Sequence, residues 1–500
     1  MIAQLAPLGA IVTQQDGQRG RQTQNPPGNG GKRGPDALYC GAKLCQLPPR
    51  GHKELCMSDN QADLIVHARW IAPVTPDSGV LENHSLVVID GRIADILPTP
   101  LAREKWQADD PQTLDSHLLI PGLVNAHTHA AMNLLRGIAD DLPLMTWLEK
   151  HIWPAEGQFV SDSFVYDGTL LAAAEMIRSG TTTFADMYFF PASAARATVE
   201  AGLRASLFCP VLDFPTPMGG GPEDYLRLAT DAMDQWRHEP RIQIGFGPHA
   251  PYTVSDEPLE KVLTLAEELD VPVMMHVHET AGEIQMAVGN TGERPLTRLK
   301  ELGLLSPRLL AVHMTQLTDD EIALVAETGT QVVHCPESNL KLASGFAPIE
   351  KLRQAGVNVA LGTDGAASNN DLDMIGEART AAFLAKGVSL QADALPAAEV
   401  LKMATLNGAV ALGRDSEIGS LEIGKQADMV AVDLNRIETQ PVYDPVAQLV
   451  YAASRDQVTH SWVAGRCLLA NRQLTTLNEA LLLKNAQQWQ QQIAGAEQRD

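Results

Sequence analysis

Between Pro121 and about Leu412 the sequence alternates short apolar runs with amphipathic stretches, and this alternation constrains the chain more than any other feature. The runs are LVNAHTH, TTTFADMY, RASLFCPVL, RIQIGFGPH, VPVMMHVHE, LLAVHM, TQVVHCP and VNVALGTDG. Strands separated by helices cannot be joined through tight turns, so their crossovers impose a parallel sheet. Eight such units close into a (β/α)8 barrel of the TIM type, an α/β fold whose chemistry sits at the C-terminal ends of the strands. Polar residues collect at those ends: His127 and His129 finish the first run, His249 the fourth, His276 the fifth, His313 the sixth and Asp364 the eighth. Any one of them could be an ordinary hydrogen-bonded histidine or aspartate, but their joint placement on one face points to a site.

The chain is too long for the barrel alone, and its flanks carry different patterns. Residues 58–120 hold β-rich runs such as DLIVHARWI and HSLVVIDGRIADIL, with an Asp90-Gly91 turn, and residues 418–475 hold GSLEIGKQADMVAVDL and VTHSWVAGRCLLA. We expect these two blocks to pair into a small β-sandwich beside a barrel spanning 121–417. Residues 478–500 read as an amphipathic helix docked on its own barrel. Residues 1–56 differ from the rest, with Gly and Pro clustered at Asn25–Gly34. They carry seven Lys or Arg against three Asp or Glu, a local charge of +4 in a chain of −23. They read as a disordered extension, and translation beginning at Met57 would omit them.

The acidic balance repels phosphate backbones and leaves no basic face, which argues for a small-molecule substrate and against nucleic acid. No stretch of apolar residues is long enough to span a bilayer, and Met1–Val12 lacks the basic start of a secretory signal. The six cysteines form no CxxC pair, which suits a reducing cytoplasm. A homo-oligomer is left open.

His127 and His129, two residues apart on a strand, project to the same side and can share one ion. Neutral imidazoles with a carboxylate suit Zn²⁺ or Fe²⁺, and Mn²⁺ is also accepted by such donors. A third histidine with Asp364 would leave room for a water, whose pKa a bound metal lowers from about 15.7 toward 7.

The segments PGLVNAHTHAAMNLLRGIADD, GTTTFADMY, GFGPHAPY, HVHET, CPESNLKLASG and LGTDGAASNNDLDM resemble the amidohydrolase superfamily. More narrowly they resemble its 5-methylthioadenosine/S-adenosylhomocysteine deaminases, from about Asp63 to Leu469. The resemblance implies His127, His129, His276 and Asp364 as metal ligands, with His278 at a variable position beside them. It implies Glu279 as the general acid/base, Asp364 as the acceptor of the water's proton and His313 as a group stabilising developing charge. His249 and Glu156 would contact substrate, Glu156 gripping ribose hydroxyls. Members with two metals carry a lysine at the end of strand four; RIQIGFGPHAPY has none, which implies one divalent ion per chain, zinc first. The implied reaction is hydrolytic deamination of a purine nucleoside to its inosine analogue and ammonia. Guanine, 8-oxoguanine and s-triazine hydrolases share the metal shell and form the competing reading; a catalytically inactive binding barrel is the remaining one. The loops LRGIADDLPLMTWLEKHIWPAE and DFPTPMGGGPEDY should set selectivity, the second as a mobile lid or a plain surface turn. Among Arg204, Arg227 and Arg237 no partner for the substrate's outer end can be assigned.

Overall fold

The computed structural model describes residues 60–75 and 79–497; the expected extension 1–56 and the alternative start at Met57 lie outside them. Eight parallel strands form the barrel: β5 (Leu123–Thr128), β6 (Thr181–Met187), β7 (Arg204–Val211), β8 (Ile242–Pro248), β9 (Val273–Val277), β10 (Leu309–His313), β11 (Gln331–His334) and β12 (Val359–Leu361). All but one of their residues are buried, as expected where helices cover one face of each strand and the barrel interior the other. Val124, Ala126, Phe208, Met274, Leu310, Val312 and Val333 belong to one interior cluster, closed below by Ala409 and Leu412. Residues such as Leu123, Phe184, Leu207 and Met275 belong instead to the larger core that includes the surrounding helices.

The barrel closes where β12 returns to β5. There the Asp364 N–H donates to the His127 carbonyl at 3.0 Å, and the Asn125 amide exchanges hydrogen bonds with Thr363 at 2.7 and 3.0 Å. Gly362 permits the approach: a Cβ at that position would stand 2.8 Å from His127 N and 2.9 Å from its Cβ. Any side chain there would push apart the two strand ends that carry the polar residues.

The flanking blocks form one continuous eight-stranded mixed sheet. Its first half comprises β1 (Leu64–Ile71), β2 (Leu81–Ile89), β3 (Arg92–Pro98) and β4 (Gln112–Pro121). Its second comprises β13 (Met429–Asp433), β14 (Val458–Val463), β15 (Arg466–Ala470) and β16 (Gln473–Leu474). The halves meet antiparallel at β4 and β13, with Met429 opposite Pro121 and Asp433 opposite His117. Period-two alternation gives β13 two jobs. Met429 and Ala431 enter a core shared with Val66, Leu86, Leu119 and Trp462 from both halves, while Val430 and Val432 face the barrel helices. The final helix, Glu479–Glu497, docks on the chain's own helix Asp162–Ser179: Leu482 packs with Leu170 and Ala174, and the Trp489 indole N–H donates to Asp167 at 2.8 Å. Among the described residues no helix is long and apolar enough to cross a membrane.

Candidate active site

The strand ends bring His127, His129, His276 and Asp364 together, with one ligand atom of each lying within 4.8 Å of all the others. His127 Nε2 is 3.1 Å from His276 Nε2 and 3.4 Å from Asp364 Oδ1, and His129 Nε2 is 3.3 Å from the same oxygen. A tetrahedron of ligands about 2.1 Å from a zinc ion has edges of about 3.4 Å, so these separations fit a shared divalent ion.

The outer ring nitrogens point the same way. His129 Nδ1 is bonded to the Met187 carbonyl at 2.6 Å and His276 Nδ1 to the His249 carbonyl at 2.9 Å, which assigns the proton to Nδ1 and turns the Nε2 lone pairs inward. His127 Nδ1 rests 3.1 Å from Met274 Sδ. The 3.1 Å between His127 Nε2 and His276 Nε2 lets these two nitrogens share a proton or an ion. The electrostatics agree: burial penalises a charged His129, yet the Asp364 carboxylate outweighs it and raises that ring to about 9. Burial likewise opposes ionisation of Asp364, but the rings of His127 and His129 beside it hold its carboxyl well below the usual range. The donor set attracts a cation, as a proton or as a metal.

Asp364 is fixed from behind. Its Oδ2 accepts from Ser338 Oγ at 2.7 Å and Ser368 Oγ at 2.9 Å, its Oδ1 from Gly365 N–H at 2.8 Å, and its backbone is left-handed at φ 63°. His278 and His313 are also left-handed, at φ 54° and 78°. Non-glycine residues in this region are uncommon and cluster where a site over-determines the backbone.

Glu279 stands beside the cluster. Its Oε2 is 3.8 Å from His313 Nε2, its Oε1 is 3.5 Å from Ser344 Oγ, and its backbone N–H donates to Glu283 at 2.7 Å. Burial, with the carboxylates of Asp364 and Glu283 adding to it, raises its pKa well above the ordinary value. Burial also lowers His313 to about 3 and His249 to about 4, so both rings are neutral at physiological pH. His313 Nδ1 pairs with the Asn339 amide at 2.9 Å, and His249 Nδ1 with Thr253 Oγ1 at 3.1 Å. His278 turns away from the cluster: its Nε2 accepts from Leu296 N–H at 3.3 Å and its Nδ1 is 3.9 Å from Glu321.

Above this floor opens a cavity of about 330 Å³ that His129, His249, His276, His313, Glu279 and Asp364 line from below. Its walls come from the loops after β5 and β7, with Tyr188 and Phe189 following β6. The helix Trp153–Phe159 carries Glu156, whose Oε1 accepts from Tyr188 Oη at 2.8 Å. Burial raises Glu156 to about 7, against the opposing pull of Tyr188 and His129. Trp153 meets Phe214 of the second loop at a ring separation of 6.4 Å. The three arginines considered from sequence stand elsewhere: Arg204 is buried against Asp428 at 3.0 Å, Arg227 pairs with Asp231 on the surface, and Arg237 is exposed.

Sequence reasoning passed over Tyr188, Ser338, Ser368, Asn339 and Asp186. Asp186 accepts from Ala130 N–H at 2.7 Å and so anchors the turn that follows His129. Ser368 shares a motif with the ligand Asp364, whereas the other four lie in GTTTFADMY and CPESNLKLASG, which hold no proposed ligand.

The amidohydrolase family model matches residues 118–468. The chain belongs to the amidohydrolase family. Within that family, it is 52% identical over 432 residues to a 5-methylthioadenosine/S-adenosylhomocysteine deaminase of Saccharophagus degradans, covering 86% of this chain and 97% of that protein. It is 42% identical to a 5'-deoxyadenosine deaminase of Methanosarcina mazei, over 85% and 97% of the two chains. A crystal structure of a Xanthomonas campestris adenosine deaminase with bound zinc superimposes with a TM-score of 0.86 at 51% identity, covering 87% of this amidohydrolase and 99% of that chain.

Proposed function

We propose that this amidohydrolase hydrolytically deaminates 5-methylthioadenosine, S-adenosylhomocysteine or both, releasing ammonia and the inosine analogue. The observation that carries the reading is a buried Glu279, 3.8 Å from His313 and with its carboxyl raised well above the ordinary range by burial, beside a His/His/His/Asp set, with a carboxylate, Glu156, on the wall of the same cavity. The names of the relatives support the substrate.

His127, His129, His276 and Asp364 would hold one divalent ion per chain, zinc first, with iron(II) and manganese(II) compatible with the same donors. When bound, the ion supplies Lewis acidity that makes water nucleophilic near neutral pH. The end of β8 presents His249 and no lysine, which supports a single ion.

Each protein group has a task in the chemistry. Glu279 donates its proton to the ring nitrogen next to C6, which makes that carbon electrophilic. Asp364 accepts the proton given up as water adds to C6. The amine must leave as ammonia, so it too needs a proton: Glu279, left as a carboxylate, takes the remaining proton of the added hydroxyl as C6=O forms and passes it to the amine, and the proton held by Asp364 restores Glu279. His313, neutral and held by Asn339, faces the reacting centre and stabilises charge developing on the incoming oxygen. His249 contacts the purine and Glu156 accepts from ribose hydroxyls. One water enters, one ammonia leaves, and C6–NH₂ becomes C6=O. The free thiols of Cys209, Cys335 and Cys467 support a reducing, cytoplasmic setting.

The test is ammonia release by the zinc-loaded protein from methylthioadenosine, S-adenosylhomocysteine, adenosine, guanine and 8-oxoguanine. Turnover of the thio-nucleosides is expected; turnover of free bases alone would overturn the substrate and the role of Glu156.

A further inference from the structure

The floor of the cavity gathers four histidines and two carboxylates, whereas its outer half is mostly apolar and carries no cation among the described residues. Among the described residues that line it there is no lysine or arginine. The outer wall is built by Trp147, Leu148, Trp153 and Phe214, with Glu156 as its carboxylate. Trp153 and Glu156 are three residues apart on one helix and therefore neighbours on its surface. A ribose held by Glu156 would thus direct its 5′ substituent toward the indole and phenyl rings.

Nearby cations are engaged elsewhere. Arg136 pairs with Glu175, and Lys341 bonds Asp140 at 2.7 Å and also Asn370. Lys150, on the loop that carries the wall, is exposed and does not line the cavity.

We propose that the outer half of this cavity selects nucleosides whose 5′ substituent is apolar and uncharged, and discriminates against those that end in an amino acid. The inference rests on the nucleoside-deaminase reading above and divides its two substrates. A methylthio group gains apolar contact with the indoles and with Phe214. The zwitterionic end of S-adenosylhomocysteine would bring a carboxylate against a wall with no cationic partner and with Glu156 beside it. Burying an unpaired charge is costly, and a site lacking the matching group rejects such a ligand strongly.

The experiment compares kcat/KM of the zinc-loaded full chain for methylthioadenosine, 5′-deoxyadenosine, 5′-butylthioadenosine and S-adenosylhomocysteine. The butylthio compound matches the homocysteine tail in length without its charge. Expected values place the butylthio compound within about 10-fold of methylthioadenosine and S-adenosylhomocysteine about 100-fold or more below it. Phe214→Arg should narrow that gap about 10-fold by offering the carboxylate a partner. S-adenosylhomocysteine turned over within about 3-fold of methylthioadenosine would overturn the proposal and leave the deaminase reading intact. Equal rejection of the butylthio compound would also overturn it, because length would then be the criterion. Turnover of no nucleoside at all would remove the underlying reading and this inference together.

Discussion

The floor and the outer wall of the cavity are built on different principles. Three of the four proposed ligands on the floor are held from behind by polar partners, His129 and His276 by backbone carbonyls and Asp364 by two serine hydroxyls and a backbone N–H, while His127 rests against the Met274 sulfur. The wall relies on aromatic and aliphatic packing, with the Glu156–Tyr188 hydrogen bond as its polar element facing the cavity. A metal ion tolerates little displacement of its ligands, whereas an apolar substituent is satisfied by shape. The floor should therefore fail abruptly when altered, and the wall gradually.

The largest effect should come from His276→Ala, which removes a ligand. Metal content should fall below one ion per chain by elemental analysis, and activity should fall to background. His278→Ala is the control and should keep its metal, because that ring points away from the cluster. Glu279→Gln comes next: kcat should drop about 1,000-fold or more with metal content unchanged, and near-normal turnover would refute the proton-relay role.

On the wall, Glu156→Ala should lower kcat/KM for nucleosides about 10- to 100-fold, mainly through KM, the range for losing a hydrogen bond to a charged group. The pH dependence sharpens this further. The folded pKa of Glu156 is raised to about 7, so the carboxylate is charged above that pH and takes up a proton as pH falls through it. KM should rise toward acid over that interval, and Glu156→Gln should flatten the rise; Tyr188 and His129 are the titratable groups facing it. Smallest of all, Lys341→Met would release the clamp between Asp140 of the β5 loop and Asn370 of the β12 loop. That pair is partly exposed, so KM should rise by no more than about 5-fold, with Lys341→Arg restoring it.

The same division governs what could be read from sequence. His127 and His129 were legible because a strand's period of two fixes their side, and His249, His276, His313 and Asp364 because polar residues after apolar runs stand out; Glu279 was implied by the family resemblance alone. Ser338 and Ser368 were not: a serine near a strand end is common, and only closure of the barrel brings their hydroxyls to Asp364. The wall was less legible still. Glu156 sits on a short helix where an isolated glutamate is ordinarily solvated, and Tyr188 meets it from another strand's loop. The two flanking β blocks were visible, but the seam of β4 with β13 depends on a register between residues more than 300 positions apart, which no local pattern encodes.

The closure of the barrel at Gly362 has a thermodynamic corollary. The donors meet across that junction: His127 comes from β5 and His129 from just after it on one side, Asp364 from just after β12 on the other, and His276 reaches in from β9. Binding an ion there fastens the first strand to the last, so its binding energy adds to the stability of the folded state by mass action. At a free metal concentration one hundred times the dissociation constant this amounts to about 2.7 kcal/mol. The melting temperature of the protein should therefore climb with free zinc, and chelation should speed amide exchange first in β5 and β12, before the rest of the barrel loosens.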